Sequence, residues 1–151
     1  MTSDLARELR GKELGPTGWL ELTQERIDAF AAATGDAQWI HVDPERAAAG
    51  PFGATVAHGF LTLALCPVLL AEVLDPPGLE VTVNYGLERV RFPAPVPAGS
   101  RVRGRLAVTS AQDVAGGVHL VLAATVEREG GEKPVCVADL VLRLLTLPER
   151  A

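Results

Sequence analysis

Between Phe60 and Leu74 the chain runs for about fifteen residues with only Thr62 and Glu72 as polar side chains and Pro67 as an interruption. Such a stretch is short of the roughly 18 apolar residues that span a bilayer, so it reads as a core helix rather than a membrane segment. A helix that is apolar almost all round has no face for water and must be enclosed by other structure. The rest of the chain supplies the material. Of its 151 residues 48% are hydrophobic and 22% charged, a globular balance with enough length to bury a core.

Beyond the apolar helix the pattern changes. Val81 to Phe92, Arg101 to Ser110, Val118 to Glu127 and Val135 to Leu147 are β-rich runs separated by proline- and glycine-rich breaks. Arg101, Arg103 and Arg105 alternate with Val102, Gly104 and Leu106, which predicts one solvent face and one core face. On the N-terminal side of the helix, after a polar lead-in, the chain reads as a short strand over Gly18 to Leu22 and then a helix. Thr23 is its N-cap, Ile27, Phe30 and Ala31 form its apolar face, and Gly35 is its left-handed stop. Asp43-Pro44 announces a shorter helix ending at Gly50, with a tight connection from Asp36 to Val42 in between. Helices early and antiparallel strands late predict an α+β domain whose sheet curls around the apolar helix, the hot-dog architecture. The expectation is one domain over 1–151, its core from about 19 to 147. Pairing of two copies would cover the exposed sheet edge.

Charge and cysteine usage narrow the partners. A formal net charge of −5 provides no basic field for nucleic acid or anionic lipid. Cys66 and Cys136 each sit in an apolar run and read as buried thiols; two cysteines make neither a disulfide framework nor a zinc cluster. The N-terminal residues mix charges and lack the apolar core of a signal peptide, so the expected setting is cytoplasmic.

Three histidines are unequal. His119 alternates with Val118 and Leu120 in a strand and reads as facing solvent or a subunit contact. His41 comes five residues after Asp36 in a short connection, where a carboxylate and an imidazole can converge beside an apolar cavity and hold a water between them. The bland alternative has Asp36 capping a turn and His41 bonding a backbone carbonyl. Gly59 stands at the start of the apolar helix, where N–H groups are unpaired and the helix dipole is positive, so a carbonyl oxygen can approach closely. Close packing of helix on sheet would use the same glycine. A donor at the tip of an apolar helix, facing an Asp/His pair, suits an acyl thioester. A metal site from His58, Asp43 and His41 lacks any recognised ligand spacing, and no metal is expected.

The segments Thr34-Gly35-Asp36-Ala37-Gln38-Trp39-Ile40-His41-Val42-Asp43, Pro51-Phe52-Gly53 and Val56-Ala57-His58-Gly59-Phe60-Leu61 resemble the signature of the MaoC-like dehydratases, or R-specific enoyl-CoA hydratases. Gln38-Trp39-Ile40-His41 together with Asn84 to Pro93 looks most like the nodulation-protein-N-like subgroup. The resemblance implies a hot-dog homodimer that adds water reversibly across a trans-2-enoyl thioester to give the (R)-3-hydroxyacyl product. It implies no metal or redox cofactor, with an acyl-coenzyme A or acyl-carrier-protein thioester as substrate. Asp36 and His41 match the catalytic acid–base pair, and Gly59 the glycine whose amide binds the thioester oxygen. Many members have Asn-Pro where this chain has Gln38-Trp39; Gln38 keeps the amide one methylene further out, and Trp39 either narrows the pocket or fills core. Asn84 and Tyr85 are candidates for lining the acyl tunnel. Arg89, Arg91, Arg101, Arg103 and Arg105 suit either coenzyme A phosphates or an exposed strand face. Two other readings stand beside the hydratase: a hot-dog thioesterase, whose carboxylate belongs to the central helix, where only Glu72 is present, and a non-catalytic acyl-thioester binding module.

Overall fold

The computed structural model describes residues 2–147. One antiparallel sheet holds the molecule together. Its long strands are β3 (Val81–Arg91), β4 (Ser100–Val114), β5 (Gly117–Arg128) and β6 (Cys136–Leu145), close to the four runs expected. Two short strands, β1 (Glu13–Leu14) and β2 (Leu20–Leu22), both pair with β4. The spatial order is β1-β4-β5-β6-β3, so β3 lies at one edge although it comes before the other long strands in the chain.

Alternation along the strands makes one face of the sheet the core. Val102, Leu106 and Val108 of β4, Leu120, Leu122 and Val126 of β5, and Leu140, Leu142 and Leu144 of β6 are all buried. On β4 a register shift between Val108 and Ser110 moves the buried set to Ala111, as an extra residue in one strand must. Arg101 and Arg105 stand exposed on the opposite face, while Arg103 is half-buried. Glu129 pairs with Arg101, and Glu127 with Arg103 and Arg105. Of the five arginines considered for phosphate, these three are therefore engaged along the sheet. Arg89 pairs with Asp139 at 3.4 Å, and Arg91 bonds the Val90 carbonyl.

The apolar helix crosses the core face as two pieces, α5 (Gly59–Ala64) and α6 (Cys66–Val73). Pro67 has no N–H to offer the carbonyl four residues back, so the helix breaks beside it. Leu61, Leu65, Cys66, Leu69 and Leu70 face the sheet and are buried. The enclosure expected from the sequence is completed on that side only within one chain: Phe60 is 69% exposed and Val68 56%. Cys66 and Cys136 are free, buried thiols. A hydrogen bond with Cys136, together with burial, pushes the Cys66 thiol far above its ordinary range, so it has no tendency to ionise.

Before the apolar helix come four helices, α1 (Thr2–Leu9), α2 (Gln24–Thr34), α3 (Trp39–Val42) and α4 (Pro44–Ala48). Thr23 and Asp43 cap α2 and α4 as expected, accepting from the N–H groups of Arg26 and Arg46 at 3.1 and 3.0 Å. Gly35 closes α2 at φ 84°. Helix α1 replaces the polar lead-in. Its Ala6 and Leu9 are buried against the sheet, so the core begins before residue 19. Single-turn α3 occupies the middle of the connection expected between the longer helices.

Candidate active site

Asp36 and His41 come from the turn that α2 and α3 make together. Gly35 reverses the chain, and Asp36 leaves it half-buried, with its N–H on Thr34 Oγ1 at 3.3 Å. One turn of α3 comes next, held by the His41 N–H donating to the Gln38 carbonyl at 3.0 Å, and it leaves His41 only 7% exposed.

The backbone then decides what His41 can do. Its Nδ1 lies 2.6 Å from the Val56 carbonyl oxygen, which only accepts, so Nδ1 carries the proton. In the neutral ring Nε2 is consequently a bare acceptor, and it bonds no protein group among the described residues. The carbonyl bond foreseen as the bland alternative is thus present. It does not compete with acid–base chemistry but prepares the other nitrogen for it.

His58 joins the pair. It is 2% exposed, its Nε2 lies 2.8 Å from the Asp36 carbonyl oxygen, and its ring stacks on that of His41 with centroids 3.7 Å apart and planes 22° from parallel. Asp36, His41 and His58 each bring one possible ligand atom within 4.8 Å of the others. Asp43, the acid considered for a metal set from the sequence, is instead spent on capping α4. His41 Nδ1 and His58 Nε2 are each bonded to a main-chain carbonyl, so each ring has one nitrogen left to offer.

Gly59 opens α5 directly after His58. The helix makes its first bonds from the Leu61 and Thr62 N–H groups to the His58 carbonyl, so the Gly59 N–H precedes them and points out of the helix end. A side chain there would come within 2.8 Å of the Phe92 ring, which packs over the glycine. Gly59 is therefore closely packed, as one of its two readings required, by Phe92 just beyond β3. It walls a cavity of about 390 Å³ with Ile40, Phe52, Val56, Thr62 and Phe92, the chain neighbours of His41 and His58 forming one side.

A second apolar cavity, about 360 Å³, lies further along the helix between Leu63, Pro67, Leu87 and Leu140, and Asn84 contributes to its wall. The structure thus puts Asn84 beside a cavity, but not the one at Gly59. Tyr85 is elsewhere. The register of β3 on β6 shifts between Asn84 and Gly86, and Tyr85, left at this irregularity, is 63% exposed, its ring against His119 and under Arg143. Next to Asn84 in the strand, it falls on the opposite face, so alternation takes it out of the expected lining. Gln38 also departs from expectation. Its side chain is exposed and makes no cap bond, and it supports His41 through its main-chain carbonyl alone. Trp39 lies against Gly50 with Arg46 over its ring, in the packing between α3 and α4. Glu72, the helix carboxylate that a thioesterase would need, accepts from the Gly18 N–H at 2.6 Å at the far end of α6. Sequence reasoning misses His58, Val56 and Phe92 in these roles. The adjacency of His58 to Gly59 is the one signal that could have found them.

Against known proteins, residues 7–130 match the MaoC like domain. The chain is 53% identical over 134 residues to 3-hydroxyacyl-thioester dehydratase Z of Mycobacterium tuberculosis, covering 88% of this chain and 89% of that protein. It is 47% identical over 136 residues to Nodulation protein N of Rhizobium leguminosarum bv. viciae, covering 87% and 83%. Among solved structures it resembles an R-hydratase from Pseudomonas aeruginosa, with a TM-score of 0.73 at 26% identity over 94% of this chain and 87% of that one.

Proposed function

The chain belongs to the MaoC-like dehydratase family, and from that premise we propose that it adds water reversibly to a trans-2-enoyl thioester, with the (R)-3-hydroxyacyl thioester as product. The observation that carries the reading is the Val56 carbonyl on His41 Nδ1, which leaves Nε2 bare in a ring that has a nitrogen within 4.8 Å of an Asp36 carboxylate oxygen. Two acceptors and no donor are what a water molecule needs, since it has two O–H bonds to give. As its oxygen attacks C3, the pair takes a proton from it and a proton passes to C2, so that OH and H are added and the pair returns to its starting state. The electron density pushed onto the thioester oxygen is met by the Gly59 N–H; removing a single donor of this kind typically costs about 3 kcal/mol of barrier. The reaction balances without an electron acceptor, and coenzyme A or an acyl carrier protein serves as the thiol carrier.

The reading includes a homodimer. Strand β3 is exposed along nearly its whole length, with Val81, Val83 and Tyr85 uncovered, and the central helices are open at Phe60 and Val68. An unpaired edge flanked by apolar side chains is a surface that a second copy would cover.

The test is turnover of crotonyl-coenzyme A by purified protein, monitored by loss of enoyl absorbance and chiral resolution of the product. Wild type is expected to give the (R)-3-hydroxy thioester, with Asp36→Asn and His41→Ala each slower by roughly a hundredfold or more. Release of free thiol without hydration would instead indicate a thioesterase. Inertness toward crotonyl and longer enoyl chains on either carrier would overturn the hydratase reading.

A further inference from the structure

His58 is a costly residue to keep. Its Nε2–H is committed to the Asp36 carbonyl at 2.8 Å, while Nδ1 is sealed from solvent with no hydrogen-bond partner among the described residues. A buried acceptor left without a donor destabilises a fold, and one retained in this way calls for a reason beyond packing. Phe30 already packs on the ring, with centroids 4.8 Å apart, so a plain aromatic side chain would fill the space without orphaning a nitrogen.

The ring connects three parts of the site. Through Nε2–H it holds the main chain at Asp36; through its face it holds the imidazole of His41; through its own backbone it is one peptide unit from Gly59. Asp36 stands in a turn after α2 with no other side-chain donor on its carbonyl among the described residues, and His41 sits on a helix of four residues. Neither element is long enough to fix its side chain alone. We propose that His58 is a positioning residue, which sets Asp36, His41 and the Gly59 end of α5 in one geometry without itself exchanging a proton with substrate.

This assignment rests on the hydratase reading, and its test separates the two. His58→Phe keeps a ring against His41 but removes the donor to Asp36; His58→Gln keeps an amide donor and removes the stack. Both are expected to melt within a few degrees of wild type. Because small misplacements of reacting groups are costly, each should lose about 10- to 100-fold in kcat with KM changed less than about threefold. Long-range 1H–15N spectra supply a readout that needs no turnover. In wild type His41 should show the Nδ1–H tautomer and His58 the Nε2–H tautomer; His58→Phe should leave exchange of the His41 Nδ1 proton with solvent slow, and His58→Gln should speed it, because the Val56 oxygen stays but the ring is no longer held against it. Folded variants with wild-type kcat, or with a loss confined to KM, would overturn the positioning role, as would unaltered exchange of the His41 Nδ1 proton in His58→Gln. Absence of turnover in wild type would count against the hydratase reading alone, since the exchange measurements still decide the role of His58.

Discussion

A histidine is defined by the nitrogen its surroundings leave free. At His41 a main-chain carbonyl makes that choice, and no side-chain substitution can remove the oxygen of Val56. Gly59 is the position where a single atom tests the site. An added Cβ would press on Phe92, whose ring is 40% exposed and free to swing outward. Gly59→Ala should therefore stay folded, with a melting temperature within a few degrees of wild type, while kcat/KM falls roughly tenfold as the cavity wall moves. Steady-state kinetics beside a thermal melt would check both parts. Asp36, His41 and Gly59 are legible in the sequence because their settings are local: a helix stop, a short connection and a helix start. The contribution of His58 is not, since its partners lie 22 and 17 residues away and only the folded chain brings them together. Tyr85 is misread for a different reason: it follows Asn84 directly in a strand, and alternation puts the two on opposite faces.

At the level of elements, caps do most of the predicting. Thr23, Gly35 and Asp43 are each readable from sequence and each makes the contact expected of it. Thr23→Ala should cost about 1 kcal/mol, read as a fall of roughly 2–4 °C in melting temperature for a chain of this size. Helix α1 escapes notice because its charged residues mask the spacing of Leu5, Ala6 and Leu9, and its apolar face acquires meaning only against the sheet. The arginine row on β4 carries a pH signature. A hydrogen bond from Arg103, with Arg105 nearby, holds the Glu127 carboxyl below its ordinary range. A depressed carboxylate stabilises the fold above its unfolded value, near 4.3 on average, and that contribution disappears as pH falls through the lower folded value. Glu127→Gln should thus be less stable than wild type at pH 7 by under about 1 kcal/mol, with the difference closing in acid. Denaturant titrations at several pH values would measure it; a deficit that persists at the acid end would assign it to packing.

For the whole molecule, the unfinished side of the central helices is the main fact. Sequence predicts that the apolar helix must be enclosed, and one chain encloses it by half. Sedimentation of wild type should report a dimer, and Val68→Asp, which places a charge on the open side away from the site, should shift the equilibrium toward monomer with little loss of monomer stability. An unchanged dimer would move the contact to another surface. Among the described residues no helix is long and apolar enough to cross a membrane. Chain order, finally, fixes one dimension of the site. His58 and Gly59 are consecutive, so the proposed anchor and the proposed oxyanion donor are separated by one peptide unit, about 3.8 Å between Cα atoms. That spacing is covalent and cannot drift when the cavity walls change. Phe52 and Phe92 can be exchanged for larger or smaller side chains without altering the step along the chain from His58 to Gly59.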